Sequence, residues 1–577
     1  MATVIINGTE VQVPDNATVL EAARLARVEV PTLCYHPDLP AIGACRICAV
    51  EIEGEPLLKT ACNTTVRDGM RIRTFTPAVR EARQVALELI LSRHPQKCNE
   101  CVRNGTCELQ ALAARLQCGE IPFAYRQRPG NPDLSSGAVG RDPSKCVLCR
   151  RCVQVCELIQ SVGAIAVQGR GYDAWIDTPF SRSLPEVGCV FCGQCIDRCP
   201  VGALFEISHV ERVWRALEDP EMHVVVQTAP AVRAAIGEEF GLPPGSLVTG
   251  QMVAALRRLG FDKVFDTDFT ADLTIMEEGH ELIDRLQNGG VLPMLTSCSP
   301  GWINFIEHFY PSLLPHLSTC KSPQQMFGAL AKTYYAQKAG IDPSKIFVVS
   351  VMPCTAKKAE AARPEMRDSG FQDVDAVLTT REAARMMKEA GIDLSKLEPE
   401  DFDLPLGIST GAGVIFGVTG GVMEAALRTV YEVVSGKKLE QLEISPVRGM
   451  EGIREAEISL DGVQVRAAVA HGLANARRLM DKIVAGEANY HFIEIMACPG
   501  GCLSGGGQPY PTTPEIRQKR AQAIYEADRR LPLRKSHENP VVQELYREFL
   551  GRPNSHRAHE LLHTHYTPKP LYATEAV

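Results

Sequence analysis

Cys498 and Cys502 sit four residues apart in Glu494-Ile-Met-Ala-Cys-Pro-Gly-Gly-Cys-Leu-Ser-Gly-Gly-Gly-Gln-Pro509, beside a run of glycines. Thiolates are soft metal ligands, and a loop nearly free of side chains lets the backbone close on whatever they hold. Two further thiols stand in compact segments upstream: Cys354 in Met352-Pro-Cys354 and Cys298 in Thr296-Ser-Cys298-Ser-Pro300. Together Cys298, Cys354, Cys498 and Cys502 can hold a [4Fe–4S] cluster.

Sixteen of the 21 cysteines precede residue 200. In a reducing compartment such clusters of thiols are metal ligands or reactive groups more often than disulfides. Cys146-x2-Cys149-x2-Cys152-x3-Cys156 is followed by Cys189-x2-Cys192-x2-Cys195-x3-Cys199-Pro200. This is two-cluster ferredoxin spacing, in which the fourth cysteine of each run ligates the other cluster. It assigns Cys146, Cys149, Cys152 and Cys199 to one [4Fe–4S] cluster, and Cys189, Cys192, Cys195 and Cys156 to the other. His94, Cys98, Cys101 and Cys107 form H-x3-C-x2-C-x5-C. A zinc knuckle is the alternative to a [4Fe–4S] site there. Cys34, Cys45, Cys48 and Cys62 can hold a [2Fe–2S] cluster, although zinc would accept the same four. The loop Ala41-Ile-Gly-Ala-Cys45-Arg-Ile-Cys48 resembles that of [2Fe–2S] ferredoxin domains. Cys118 falls outside every pattern and reads as an ordinary buried thiol. These groups carry single electrons, so a row of them implies a wire with a redox terminus at each end.

The elements that must position these residues follow from pattern. A chain of 577 residues exceeds one core. Residues 2–13 alternate about Asn7-Gly8, a hairpin signal, and Thr18 to Ala26 reads as a helix. A small β-grasp domain fits. A helix from Ala78 to Ser92 precedes His94, and Pro95 breaks it. Beyond residue 210, short β-rich runs appear at Val224 to Gln227, Val264 to Asp266, Val291 to Thr296, Ile346 to Met352 and Phe492 to Met496. The expected fold is an α/β catalytic domain with mainly parallel sheets, preceded by α+β iron–sulfur domains. Thr296, Met352 and Met496 each end a run, which places a cysteine loop at the carboxyl end of each strand. The expected segments are 1–78, 79–126, 127–209, 210–511 and 512–577.

The net charge of −8 argues against nucleic acid as a partner. No signal peptide and no apolar run of membrane length is evident, which predicts a cytoplasmic protein.

The three C-terminal cysteine segments together resemble the active-site motifs of the iron-only ([FeFe]) hydrogenases. Met352-Pro-Cys354-Thr-Ala-Lys357-Lys-Ala-Glu360 is similar to the family's second motif and Glu494 to Pro509 to its third, and Phe416-Gly-Val-Thr-Gly-Gly-Val-Met-Glu424 is also similar. The resemblance runs from the β-grasp domain to Pro509. The His94 site resembles a [4Fe–4S] site with one histidine, shared with the large iron–sulfur subunit of respiratory complex I. The resemblance implies one [2Fe–2S] cluster, three accessory [4Fe–4S] clusters and an H-cluster. The last is a [4Fe–4S] unit joined through a shared thiolate, here Cys502, to two irons carrying carbonyl, cyanide and a bridging amine dithiolate. Lys357 would donate to a cyanide, while Met352, Met496, Phe416, Pro230 and Gln324 would wall the cavity. Protons would pass through Cys298, Glu278, Ser318, Glu281 and Arg285. On their residues alone these would read otherwise: the methionines as core filler, Lys357 as a surface charge, and Glu277-Glu278-Gly-His-Glu281 as an acidic helix start.

One position departs from the family. Ser299 stands before Pro300 where a ligating cysteine is usual, and a serine alkoxide suits a soft site poorly. Either Ser299 ligates through oxygen, or Cys298 shifts to become the ligand, or the change is engineered or particular to a subgroup. The need for four soft ligands favours Cys298 as ligand, with an altered relay. Cys320, near Ser318, is a spare thiol or a structural one.

The resemblance thus implies interconversion of H2 with protons and electrons. Electrons would go to ferredoxin or to a flavin- and NAD(P)-binding subunit, since this chain lacks a Gly-x-Gly-x-x-Gly fingerprint after a strand. Maturation proteins would supply the two-iron unit. The alternatives are a hydrogen sensor, an iron–sulfur assembly factor, or an electron-transfer subunit like that of complex I. The tail from Thr512, with four histidines between His556 and His565, is expected to wrap the large domain as helices, its histidines at the surface.

Overall fold

The computed structural model describes residues 1–460 and 463–572. At the amino end, strands Ala2–Ile6 and Thr9–Val13 pair antiparallel. Asn7 and Gly8 both take positive φ, as a two-residue hairpin turn requires. They are the edge of a five-stranded sheet that continues through Arg71–Arg73, Ala49–Ile52 and Lys59–Thr60. Helix Val19–Leu25 packs on this sheet, begun by a reciprocal Thr18–Glu21 capping box. Helix Pro77–Leu91 follows, capped by Thr76, and Arg83 ties it to the sheet by donating to the Ala49 carbonyl at 2.7 Å.

The next region carries little regular structure. Two small antiparallel pairs, Val139–Arg141 with Leu204–Glu206 and Ala166–Gln168 with Trp175–Asp177, brace short helices at Arg151–Gln154 and Gln194–Arg198. Its core is built largely around cysteines.

The remainder is dominated by two four-stranded sheets. The first has the order Lys263–Asp266, His223–Thr228, Ile346–Met352, Ala376–Thr379, and every pair is parallel. The second runs Met294–Leu295, Phe492–Met496, Val463–His471, Ile453–Leu460. Its first two pairings are parallel and the last is an antiparallel hairpin. The first sheet and strands Met294–Leu295 and Phe492–Met496 of the second are buried, which is why these strands read as apolar runs, whereas the outer strand Ile453–Leu460 alternates and is partly exposed. Thr228 and Val351 are paired in one sheet, Leu295 and Ile493 in the other. Parallel pairing therefore brings Pro230, Cys354, Cys298 and Cys498 out at strand carboxyl ends.

Two expectations need correction. The run Val291 to Thr296 is a strand only at Met294–Leu295. Pro293 has no N–H to offer, so pairing begins after it, with Met294 N–H donating to the His491 carbonyl. The acidic run Glu277 to Glu281 is no helix start; it lies midway along helix Thr267–Asn288, which Asp266 caps. Its early turns carry Thr267, Asp268, Thr270 and Asp272 facing the interior, so no apolar stripe announced it.

The tail packs as helices Pro514–Arg530, Pro540–Leu545 and His556–Leu562 against the catalytic region. Residues 562–564 lie alongside 319–321: Lys321 N–H donates to the Leu562 carbonyl at 2.8 Å and Thr564 N–H to the Thr319 carbonyl at 2.7 Å. His563 is buried, against the expectation of surface histidines. Among the described residues, no helix is long and apolar enough to cross a membrane.

Candidate active site

Three loops at strand ends converge on one cavity. Cys298, Cys354, Cys498 and Cys502 line it, with Pro230, Gln324, Met352, Phe416 and Met496 among its walls. Lys357 is the one charged side chain among the described lining residues. Cys192, from the ferredoxin-spaced region, lines the same cavity.

Glycine makes the closure possible. A Cβ on Gly505 would lie 2.2 Å from the Pro353 carbonyl oxygen. Gly501 takes φ +91°, and a Cβ there would lie 2.7 Å from the Thr419 amide. Glu494, buried in the middle of strand Phe492–Met496, accepts from the Gly420 and Met423 amides at 2.6 and 2.7 Å. It thereby satisfies the first turn of helix Gly421–Ser435. Burial pushes its carboxyl up to about 7, against those hydrogen bonds.

Lys357 is buried, not a surface charge. Its Nζ donates to Glu360 at 2.9 Å and to the Cys298 carbonyl at 3.2 Å. Glu360 also accepts from Ser322 and from Gln324 Nε2, both at 3.0 Å. Gln324 Oε1 has no hydrogen-bond partner. The Glu360 hub escaped sequence reading, because Ser322 and Gln324, which it gathers beside Lys357, lie more than thirty residues away.

Ser299 begins helix Pro300–Phe309 but does not cap it. Its Oγ instead accepts from the Ala497 amide at 3.3 Å, which ties the Cys298 loop to the Cys498 loop. The titratable neighbours acting on Cys298 are Glu278, Lys357, Cys502 and Glu494; those acting on Cys498 include Cys354, Cys192 and Cys502.

Glu278 is buried behind Cys298, and burial followed by the nearby Glu281 charge pushes its carboxyl up to about 8. Ser318 interacts with Glu278 and donates to Glu281 at 2.8 Å. Arg285 donates to Glu281 at 2.6 Å and to the carbonyls of Val291 and Leu317. Ser318, Glu281 and Arg285 are thus hydrogen-bonded in series, and Glu278 and Cys298 are near enough to act on one another electrostatically. Cys320 is fully buried near Glu281.

The ferredoxin-spaced cysteines sort crosswise. Cys146, Cys149, Cys152 and Cys199 line one cavity, and Cys156, Cys189, Cys192 and Cys195 another. Burial pushes all eight thiols up. Thiolates at such places need a positive partner, which an iron–sulfur core supplies. In the first region the thiols of Cys34 and Cys45, and those of Cys48 and Cys62, lie close enough to perturb one another. His94 has a buried Nδ1 without a partner, and burial lowers its pKa to about 4, which keeps the ring neutral as a ligand must be. Cys98 is exposed, and Cys101 and Cys107 are half-buried. The donor sets fit iron–sulfur groups throughout.

A series of sulfur-lined sites ending in an apolar, sulfur-lined cavity defines an iron–sulfur oxidoreductase. Family models match in the same order: a 2Fe-2S iron-sulfur cluster binding domain at residues 1–77, an NADH-ubiquinone oxidoreductase-G iron-sulfur binding region at 83–122 and a 4Fe-4S dicluster domain at 145–203. The C-terminal domain of the iron only hydrogenase large subunit matches 222–506, and the iron hydrogenase small subunit matches 514–569. The chain is 50% identical to the NADP-reducing hydrogenase subunit HndD of Solidesulfovibrio fructosivorans, over 98% of this chain and 99% of that one. It is 44% identical to iron hydrogenase 1 of Clostridium pasteurianum, over 98% and 100% respectively. A solved [FeFe]-hydrogenase HydA1 variant from Chlamydomonas reinhardtii is 48% identical, with a TM-score of 0.57 over 63% of this chain and 99% of that one. The chain belongs to the iron-only hydrogenase family. It is an oxidoreductase acting on H2, with [2Fe–2S], [4Fe–4S] and H-cluster sites.

Proposed function

We propose that the cavity between the two sheets interconverts H2 with protons and electrons through the residues around it. The observation that carries this reading is the meeting of three features at one place. Four cysteines line the cavity, Cys192 reaches it from the electron-carrying region, and the Glu278–Ser318–Glu281 series starts beside Cys298.

When bound, the two-iron unit supplies the open iron position and the bridging amine at which H2 is split or formed. Cys354, Cys498 and Cys502 would hold the cubane, with Cys502 the thiolate it would share with the two-iron unit. Lys357, oriented by Glu360, would offer its ammonium charge to an anionic ligand in the cavity. Met352, Met496, Phe416 and Pro230 exclude water, and Gln324 holds Glu360 in place. Cys298 hands a proton to Glu278, which passes it through Ser318 to Glu281, with Arg285 fixing that carboxylate. The neighbours of Cys298 favour this relay role over the ligand role that Ser299 first suggested. Ser299 then stands at the fourth position of the cubane.

Clusters held by the Cys146 and Cys156 sets, the His94 set and the Cys34 set would carry electrons between the cavity and the surface. The domain bounds 1–78, 79–126, 127–209, 210–511 and 512–577 express this order, the first as a β-grasp fold. HndD is named as a subunit of an NADP-reducing hydrogenase, and this favours a flavin- and NAD(P)-binding subunit as electron partner, with ferredoxin as the second candidate. We place the protein in the cytoplasm, matured by dedicated assembly proteins.

Infrared spectra of the matured protein test the core of this reading. Carbonyl and cyanide bands are expected, and their loss in Cys502→Ala. A matured protein without them is not a hydrogenase of this kind. The role of Cys298 is tested separately: Cys298→Ala should keep the reduced cubane's electron paramagnetic resonance signal and lose turnover. Loss of that signal would make Cys298 the ligand.

A further inference from the structure

The proton series ends, at Glu281, in a problem. Glu281 and Arg285 are each only 12% exposed in their side chains. A guanidinium does not give up a proton in a protein, so Arg285 can hold Glu281 but cannot carry a proton onward. With so little of either side chain open to water, a titratable group beside Glu281 would widen its exchange with solvent.

The tail supplies one. Thr319 Oγ1 lies 3.4 Å from Glu281 Oε2 and 2.8 Å from His563 Nδ1. His563 Nε2 lies 3.1 Å from Glu277 Oε2. Glu277 also accepts from the Tyr546 hydroxyl and, at 2.8 Å, from the Asn554 amide. The carboxylate of Glu277 thus keeps a proton on Nε2 and leaves Nδ1 as the nitrogen free to exchange. The His559 ring lies against that of His563, tilted by 33° with centroids 4.0 Å apart, and His559 is exposed. Backbone pairing of residues 562–564 with 319–321 fixes His563 in this position.

We propose that His563 and His559 form the outer leg of the proton path, joined to Glu281 through the hydroxyl of Thr319. This rests on the reading of Glu278, Ser318 and Glu281 as the inner leg. Inward, His563 first takes a solvent proton at Nδ1 while keeping that on Nε2, and the Nδ1–H bond then breaks as an O–H bond forms at Thr319. The hydroxyl's original O–H bond breaks as one forms at Glu281. The hydroxyl then rotates back, and His563 regains its proton from the solvent side, where His559 stands. Outward transfer is the reverse. The groups that face His563 are Glu277 and Glu281 on the long helix, Thr319 and Cys320 on the paired segment, and His559 on its own helix. Glu281, Cys320 and His563 also come close enough to share a cation. Both nitrogens of His563 are already engaged, so the cluster is satisfied without one.

The test uses matured holoenzyme making H2 from reduced viologen across a pH series, with His563→Gln, His563→Ala, His559→Gln and Glu281→Gln. Expected are losses of at least about tenfold in His563→Gln and Glu281→Gln, at unchanged iron content. The pH profile of His563→Gln should lose one ionisation, and added imidazole should restore His563→Ala. His559→Gln, altered only at the surface, should slow turnover at low buffer concentration and recover as buffer rises. Wild-type rate and profile in His563→Gln beside a slow Glu281→Gln overturns the outer leg and leaves the inner one standing. A slow His563→Ala that imidazole does not rescue, with the wild-type profile in His559→Gln, also overturns it, because the role would then be structural. Wild-type rates in both Glu281→Gln and His563→Gln would discard the inner leg as well.

Discussion

Gly193 and Gly506 meet backbone to backbone where the two-cluster region seats on the cavity loop: a Cβ on Gly506 would stand 2.5 Å from the Cα of Gly193. Gln194 Nε2 donates to the Ser504 carbonyl at 2.7 Å and Thr355 Oγ1 to the Phe191 carbonyl at 2.8 Å, which locks the same contact. Electron flow depends on this closeness. Gly506→Ala should therefore cost about 1–3 kcal/mol by overpacking and lower the rate of H2-driven viologen reduction. Thermal melts and reduction kinetics read both. Gly119→Ala is the control, since nothing lies within 4 Å of a Cβ there.

Ser299 gives a second prediction. Ser299→Ala leaves the Ala497 amide without its acceptor, at a cost of about 1–3 kcal/mol if that amide finds no other partner. Ser299→Cys offers a thiolate at the same place. The first should lower stability and cluster content, and the second should keep turnover while changing the cubane's resonance signal. Identical spectra for wild type and Ser299→Cys would mean that residue 299 does not touch the cluster.

The buried Glu278 makes stability depend on pH. Its carboxyl rises from 4.5 to about 8 in the folded chain. Between those values the folded state holds a proton that the unfolded chain releases, so stability falls as pH rises through that window and levels off above it. Glu278→Gln should remove this slope. Melting temperatures of both proteins across the window measure the difference; parallel curves would show that Glu278 ionises normally.

Glu360 is predicted to matter more than its position in the chain suggests. Glu360→Ala leaves the buried Lys357 ammonium with the Cys298 carbonyl as its remaining acceptor. Removing one partner of a buried pair costs about 3–5 kcal/mol. Chemical denaturation should record that loss, and a change below about 1 kcal/mol would mean that Lys357 finds another partner.

The crosswise cysteines predict which cluster each variant harms. Cys156→Ala should disturb the cluster of Cys189, Cys192 and Cys195, and leave that of Cys146, Cys149 and Cys152 intact. Iron analysis with resonance spectra distinguishes the two outcomes.

Cysteine spacing was legible because it is local: ligands a few residues apart report a loop whatever the rest of the chain does. The strand-end position of Cys354 and Cys498 was legible for a related reason, since parallel strands buried on both faces leave continuous apolar runs. The contacts around those thiols were not. Glu494 stabilises a helix that starts with Gly421, and Glu360 gathers Ser322 and Gln324. Glu277 and His563 are 286 residues apart in sequence. Each of these polar groups resembles a surface residue until tertiary packing buries it with its partner. The start of the long helix was hidden for the same reason, although Glu278 and Glu281 read as helical: its first turns bury threonines and aspartates, which no amphipathic pattern reveals.

The pairing of residues 562–564 with 319–321 has a consequence for mass action. The region matching a small subunit is tethered here to the region matching a large one, so their docking is an intramolecular equilibrium. Its occupancy is set by the effective concentration the tether imposes and does not fall on dilution. The same surfaces on two separate chains would part as the protein is diluted.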